Sequence, residues 1–389
     1  LNKQPVLLLV GGIFSLMIAM GIGRFAYTPI LPLMQNALSF TDALAGFLAS
    51  SNYAGYLAGA ILAGALPLNK HKTHYLRVSL IVSVITTFAM GLSHSYILML
   101  ILRLVSGVVS AFIFVLASSI VLDRLARAGK TNWSGFFYSG VGLGIFFSTF
   151  FIPSLNSSFG WEGVWIGLAI VSTLLSVFVW RWLNDSISTE VNKKNPVNEL
   201  PVPPVKWLPW LMIAYGLEGL GYIVTGTFIV SIAQNTSTFH IDSSLVWIVV
   251  GFGAIPSCFV WSSLAKKYGF VKSLVLSMIL QAIGIALPVF WSTQTSLFIS
   301  ALLFGATFMG ITTLATTLVR QMSPTNSSRI IGYLTAIYAT GQMIGPTVAG
   351  ILTSFTQSYN AALIGAASVV FVGALFLISG IRFDKKDQS

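Results

Sequence analysis

The sequence predicts an all-α membrane protein, with twelve transmembrane helices arranged as two pseudo-symmetric six-helix bundles. Three observations carry that prediction. Apolar runs of roughly 20 residues, the length that crosses the hydrocarbon of a bilayer, recur along the whole chain. Lysines and arginines fall in every second connection between those runs. Glycine-centred motifs return after about 200 residues, as in a chain built from two related halves. The 389 residues are 55% apolar and only 8% charged, with a mean hydropathy of +0.85, a balance that no soluble domain could hide from water. Twelve short-looped spans fill this length and leave no room for a soluble catalytic domain.

Taken in order, the apolar runs place spans near residues 6–35, 42–66, 75–93, 95–122, 134–155 and 163–183. A polar stretch with scattered prolines, Asn184 to Lys206, follows. Six more spans are expected near 208–234, 243–265, 271–291, 294–319, 328–355 and 359–381. The runs are long and continuous, so they read as helices, not as the short alternating strands of a barrel. The first run, from Val6 to about Leu38, shows no small-residue cleavage site and is read as a retained span, not a signal peptide. The expected organisation is a bundle over 1–183, a cytoplasmic linker over 184–207 and a second bundle over 208–389.

Arg24 and Arg103 fall inside spans. Every other basic residue lies in, or at the edge of, segments that twelve crossings place on the side of both termini. Those segments hold Lys70, Lys72 and Arg77, then Arg124, Arg127 and Lys130, then Lys193, Lys194 and Lys206, then Lys266, Lys267 and Lys272. The other side carries Asp42, Glu162 and Asp242 and no basic residue. Both termini are therefore expected in the cytoplasm, in a multi-pass protein of a bacterial inner membrane. The same distribution accounts for the net charge of +11 and a pI near 9.8 without nucleic acid, which would need a basic surface patch. All ten tryptophans fall near predicted span ends, where interface anchors belong. The single cysteine, Cys258, lies in an apolar run, and no Cys/His cluster has metal-ligand spacing, so no metal and no cofactor is expected.

The half-repeat rests on Gly21, Ile22 and Gly23 in the first span, matched by Gly219, Leu220 and Gly221 in the seventh. Gly140 and Gly144 of the fifth span are likewise matched by Gly341 and Gly345 of the eleventh. Glycines at such spacing let helices approach closely, so these four and Pro346 are expected at packing and gating contacts.

Some of these motifs resemble those of the major facilitator superfamily. Arg103 and Gly107, in Arg-Leu-Val-Ser-Gly, are similar to its fourth-span motif. The eleventh span has Gly341-Gln-Met-Ile-Gly-Pro346, while the fifth has Ile145 where drug antiporters of the superfamily place proline. The loop after the eighth span keeps Lys267 and Gly269 but has Lys266 at the aspartate position. More closely, Gly21-Ile-Gly-Arg-Phe-Ala-Tyr-Thr-Pro-Ile-Leu-Pro32, Asn52-Tyr-Ala-Gly-Tyr56 and Tyr215-Gly-Leu-Glu-Gly-Leu-Gly-Tyr222 resemble the YbfB/YjiJ-type branch. The resemblance implies alternating access, with two bundles rocking about a central site lined chiefly by the first, fourth, seventh and tenth spans.

Three formally charged residues lie deep in spans: Arg24, Arg103 and Glu218. At about 1.5 Å per residue, Glu218 sits roughly 15 Å from the cytoplasmic edge and Arg103 roughly 12 Å from the outer one. Such residues cost at least ~2.5 kcal/mol each at a helix centre and are retained for a partner or a task. Glu218 is the expected proton-coupling group. Arg24 and Arg103 outnumber it, which favours a solute bearing a carboxylate, sulfonate or phosphate that arginine grips with two parallel bonds. Gly21 and Gly23 loosen the helix around Arg24, and Pro29 and Pro32 remove backbone donors beyond it. For Arg103 the alternative role is to bond the carbonyls of a broken helix. Tyr27, Asn52, Tyr56, Tyr222, Thr225 and Gln342 are candidates for neutral hydrogen bonds and aromatic walls. The expected function is secondary transport of a small, anionic organic solute, coupled to protons, by a functional monomer among membrane lipids. A proton-antiport exporter of drugs or metabolites is the alternative within transport. A membrane-embedded transferase is the alternative outside it, although no nucleophile or acid/base cluster is visible. A channel is disfavoured by two unlike halves without a repeated filter loop.

Overall fold

The computed structural model describes residues 3–66, 71–130, 133–183, 201–323 and 327–384. Most of the expected linker, residues 184–200, lies outside the described residues, as do Lys70, Lys193 and Lys194. The first span is three pieces. Helix α1 (Lys3–Leu16) runs into a nine-residue π-helix (Met17–Phe25), and α2 (Tyr27–Leu38) restarts beyond Ala26. Pro29 falls in the first turn of α2, where its missing N–H costs little because those donors have no intrahelical partner.

The other spans of the first bundle are α3 (Asp42–Ala65), α4 (Lys72–Leu92), α5 (Tyr96–Arg127), α6 (Ser134–Phe150) and α7 (Ile152–Trp182). α7 is broken at Gly160, whose φ of 69° suits glycine, so a short segment precedes the span itself. The second bundle holds α8 (Leu208–Gln234), α9 (Ser244–Tyr268), α10 (Phe270–Phe290), α11 (Gln294–Met322), α12 (Ser327–Thr356) and α13 (Asn360–Leu377), closed by a 3₁₀ turn over Ile378–Asp384. Asp384 accepts hydrogen bonds from the N–H groups of Val271 and Lys272 at 3.1 and 2.7 Å. It thereby caps the start of α10, where orphan donors and the helix dipole favour a carboxylate.

Among the described residues nine helical segments are long and apolar enough to cross a membrane by themselves. The other three spans are α3, α6 and α12. α6 is apolar but only 17 residues long, and α3 and α12 carry polar side chains because they face protein. They pack on each other, with Gly46 against the Pro346 carbonyl and Gly350 against that of Asp42. The Thr347 hydroxyl reaches Ser50 Oγ at 2.8 Å across the same seam. α6 crosses α9 through Gly142 and Gly251, which meet Ile255 and Phe146. These two seams join the bundles.

The half-repeat is visible in the packing within each bundle. Gly107 of α5 lies on the Asn52 carbonyl of α3, and Gly305 of α11 lies on the Val250 carbonyl of α9. Gly21 meets Gly144, and Gly140 rests on Ile13. In the second bundle Gly341 rests on Gly216 and Gly345 on the Leu220 carbonyl. Trp165 and Trp247 depart from the interface-anchor expectation: both are fully buried. Trp247 fills the interior beside Phe25 and Phe304.

At the face away from the termini, polar groups tie the bundles together. Asp42 accepts from Gln35 Nε2 at 2.8 Å and from the Tyr359 hydroxyl at 2.5 Å. Ser231 donates to Gln35 Oε1 at 3.2 Å, the Ala43 N–H to Ser354 Oγ at 3.0 Å, and Thr28 to the Gly226 carbonyl at 2.5 Å. α8 packs along α2, so the first and seventh spans meet at this face.

Candidate functional site

A π-helix shifts each hydrogen bond by one residue, which disturbs the carbonyl ladder and needs donors from elsewhere. α5 supplies them. Arg103 donates from Nη1 to the Gly23 carbonyl at 3.1 Å and from Nη2 to that of Arg24 at 3.4 Å. Ser106 also donates to Gly23, at 3.0 Å, and Ser110 to Ala19, at 2.9 Å. The Arg103 guanidinium lies 4.7 Å from the Tyr27 ring, whose hydroxyl bonds the Ala45 carbonyl at 3.0 Å. Asn52 donates to the Arg103 carbonyl at 2.9 Å. The backbone under Arg24 is thus held from α5 by three side chains.

Arg24 is equally buried, at 3% exposure, but differently employed. Its guanidinium carbon sits 4.4 Å from the Tyr56 ring and 4.7 Å from the Tyr53 ring, a cation–π arrangement. Its Nε and Nη2 have no hydrogen-bond partner. In Arg103 only Nε is in that condition. Two buried arginines of one bundle therefore have separate circumstances: one is engaged with main chain, the other presents open donors.

Glu218 in α8 is fully buried. Its polar neighbours are the Gln281 amide of α10 and the Tyr338 hydroxyl of α12. No ion pair joins it to Arg24 or Arg103. Tyr222 and Tyr338 stand within electrostatic reach of both Glu218 and Arg24. Gln342 donates its amide to the Tyr222 hydroxyl and leaves its Oε1 unpartnered; Thr225 Oγ1 and Asn52 Oδ1 are also without partners.

The structure thus gathers the candidates into three adjoining groups: Arg24 with Tyr56, Arg103 with Tyr27 and Asn52, and Glu218 with Tyr222 and Gln342 nearby. Thr225 lies one helical turn beyond Tyr222 on α8. Sequence reasoning missed Tyr53, Gln281, Tyr215, Phe304, Phe308 and Tyr338. Four left a signal: Tyr53 and Tyr215 belong to the motifs quoted above, Tyr338 stands one turn before Gln342, and Gln281 is a lone amide in an apolar run. Among the described residues no group of three or more His, Cys, Asp or Glu side chains converges as a metal site would require.

Twelve spans in two cross-packed bundles, enclosing buried ionisable groups on the first, fourth and seventh, define a membrane carrier of the major facilitator fold. The chain belongs to the family described as uncharacterised MFS-type transporter YbfB, which it matches over residues 16–378. It is 25% identical to the uncharacterized MFS-type transporter YceJ of Bacillus subtilis, over 97% of each chain. It is 19% identical to the gentisate transporter of Corynebacterium glutamicum, over 99% of this chain and 89% of that one. A shorter match, 27% identical, covers 39% of this chain and 40% of the multidrug efflux protein YfmO of Bacillus subtilis. Among solved structures, the nucleoside transporter NupG superposes with a TM-score of 0.71 at 15% identity, over 97% of this chain and 99% of that one. That likeness concerns the fold. The family is one of transporters, which removes the transferase alternative.

Proposed function

We propose that the protein moves a small anionic organic solute across the bacterial inner membrane by proton-coupled alternating access. In this reading Arg24 binds the anion, Glu218 carries the proton, and both termini face the cytoplasm. The single observation that carries it is the open guanidinium edge of the buried Arg24, with a second buried ionisable side chain, Glu218, in the other bundle. A buried charge with unmet donors is costly unless a ligand completes it. Arg103 acts as the strut that presents Arg24, because its own donors bond the backbone on either side of it. The basic residues of alternate connections support the orientation. The hydrogen-bonded face around Asp42 supports alternating access, since one of its two states must close that face. The relative named as a gentisate transporter is consistent with an anionic solute. The match to a multidrug efflux protein favours a second reading, export in exchange for protons, at the same Arg24 and Glu218.

Purified protein in proteoliposomes, offered a panel of carboxylates, sulfonates and phosphate esters, should show saturable flux driven uphill by an imposed pH gradient. Glu218→Gln should abolish the uphill component and leave exchange of preloaded solute intact. Uphill accumulation by that variant would remove Glu218 from the coupling. Binding of cations with failure of every anion would overturn the assignment of Arg24.

A further inference from the structure

Around the Tyr222 end of the site the rings are aligned in an unusual way. Tyr215 and Tyr338 stack at 4.2 Å with planes 12° apart. Tyr222 is near-parallel to Tyr338 at 5.6 Å and 14°, to Phe304 at 5.8 Å and 15°, and to Phe308 at 6.2 Å and 10°. Phe304 and Phe308 are themselves parallel, at 5.3 Å and 14°. Five rings from α8, α11 and α12 thus share one plane orientation. Elsewhere stacking is confined to isolated pairs, Phe136 with Phe259 and Trp210 with Phe376, while other neighbours meet edge to face or tilted, as Phe25 does with Phe308 and Phe40 with Tyr96. Ring quadrupoles favour both offset stacking and edge-to-face contact, so what sets the array apart is its five rings in one orientation.

We infer that this array is the ring-binding wall of the solute site and that the solute is a planar aromatic carboxylate. The inference rests on the anion-carrier reading above and narrows it. A flat ring between two flat walls needs about 7 Å, twice the roughly 3.5 Å contact distance of carbon atoms. The rings are packed closely, with centroids 5.6 to 6.2 Å apart beside Tyr222, so a flat solute enters only when α8 parts from α11 or α12, the kind of movement alternating access supplies. Tyr222 and Tyr338 lie within electrostatic reach of the Arg24 guanidinium, and Phe308 touches Phe25, the neighbour of Arg24. The carboxylate and the ring of one rigid molecule therefore meet their partners in adjoining places. Because the carboxylate partner is in the first bundle and the ring partners are in the second, such a solute contacts both bundles at once. Gln342 Oε1, unpartnered beside Tyr222, adds one acceptor at the ring wall.

The test uses full-length protein in detergent, with binding followed by intrinsic tryptophan fluorescence and by thermal shift. The probes are benzoate, 2-naphthoate and indole-3-carboxylate, with cyclohexanecarboxylate as the non-planar control of equal charge. At least one planar acid should bind tenfold or more tightly than the control. Phe304→Leu should reduce that preference to about twofold while keeping carboxylate binding, and Arg24→Gln should lose planar and non-planar acids alike. If the control binds as tightly as the planar acids, or if none of the planar acids binds, the ring-wall assignment is wrong. In the first case the anion-carrier reading stands, and in the second it depends on whether other anions bind. Should Phe304→Leu fail to fold, Phe308→Leu serves the same comparison.

Discussion

The centres of the two bundles share a scaffold and differ in chemistry. The shift in numbering that carries Gly107 onto Gly305 also carries Asn52 onto Val250 and Gly21 onto Gly219, and both glycine-on-carbonyl contacts recur. The same shift sets Arg24 against Tyr222, Arg103 against Ala301, Ser106 against Phe304 and Ser110 against Phe308. In the first bundle three polar side chains of α5 hold an unwound first span; in the second their counterparts on α11 are one alanine and two rings, and α8 runs unbroken over Leu208–Gln234. Unwinding follows the donors. Where the fourth-span helix offers hydrogen bonds, its neighbour can leave the α-helical register, and where it offers rings the neighbour stays regular. The result is a pair of buried guanidinium groups in one half and a cluster of stacked rings in the other.

The comparison breaks most sharply at Arg103. Arg103→Leu strands the Gly23 and Arg24 carbonyls in the interior and should cost about 3 kcal/mol, on the scale of lost hydrogen bonds to a charged group. A lowered thermal midpoint in detergent, with transport lost as a consequence, checks this. Unchanged stability would mean that the π-helix holds itself. Next come the shared contacts: Gly107→Ala and Gly305→Ala each push a methyl group into a backbone carbonyl, and both should destabilise by about 2 kcal/mol through overpacking. Unequal effects would deny that the scaffold is common to the two halves. Smaller again, Ser106→Ala and Ser110→Ala should cost about 1 kcal/mol each. Thr307→Ala in α11 should cost less, because that hydroxyl bonds carbonyls of its own helix.

The parts that were legible in the sequence are those encoded locally. Hydropathy located the spans, glycine pairs such as Gly21 with Gly23 and Gly219 with Gly221 located the repeat, and the loneliness of Arg24, Arg103 and Glu218 in apolar surroundings marked them as buried charges of the interior. Gly21, Gly23 and Pro29 hinted that the first span is loosened. The π-helix itself was not legible, because its missing donors come from Arg103, Ser106 and Ser110, 79 to 91 residues away. The ring array was hidden for the same reason: its members sit on three helices, and each alone reads as ordinary core. Gln281 escaped because the ninth span holds no formal charge beyond Lys272 in its first turn, although a buried amide facing Glu218 marks an interior face as surely as a charge does. The division of labour between the two arginines also depends on tertiary contacts that two similar residues in two apolar runs do not reveal.

Arg24 gives the smallest effect on stability and the sharpest test of that division. Its aromatic neighbours Tyr53 and Tyr56 contribute a cation–π attraction, of order 1–2 kcal/mol when desolvated. Against that stands a buried guanidinium with Nε and Nη2 unmet, a penalty of about the same size. Arg24→Leu should therefore leave the thermal midpoint close to that of the unsubstituted protein, or raise it, while removing anion binding altogether. Arg24→Lys keeps the charge but not the planar edge, so it should retain weak binding with the preference for carboxylates reduced. A loss of stability in Arg24→Leu comparable with that in Arg103→Leu would show that both arginines are struts, and the anion would then have to be held elsewhere. Full stability with lost binding places recognition on Arg24, whose Nε and Nη2 are unmet, and leaves Arg103 as the holder of the backbone beneath it.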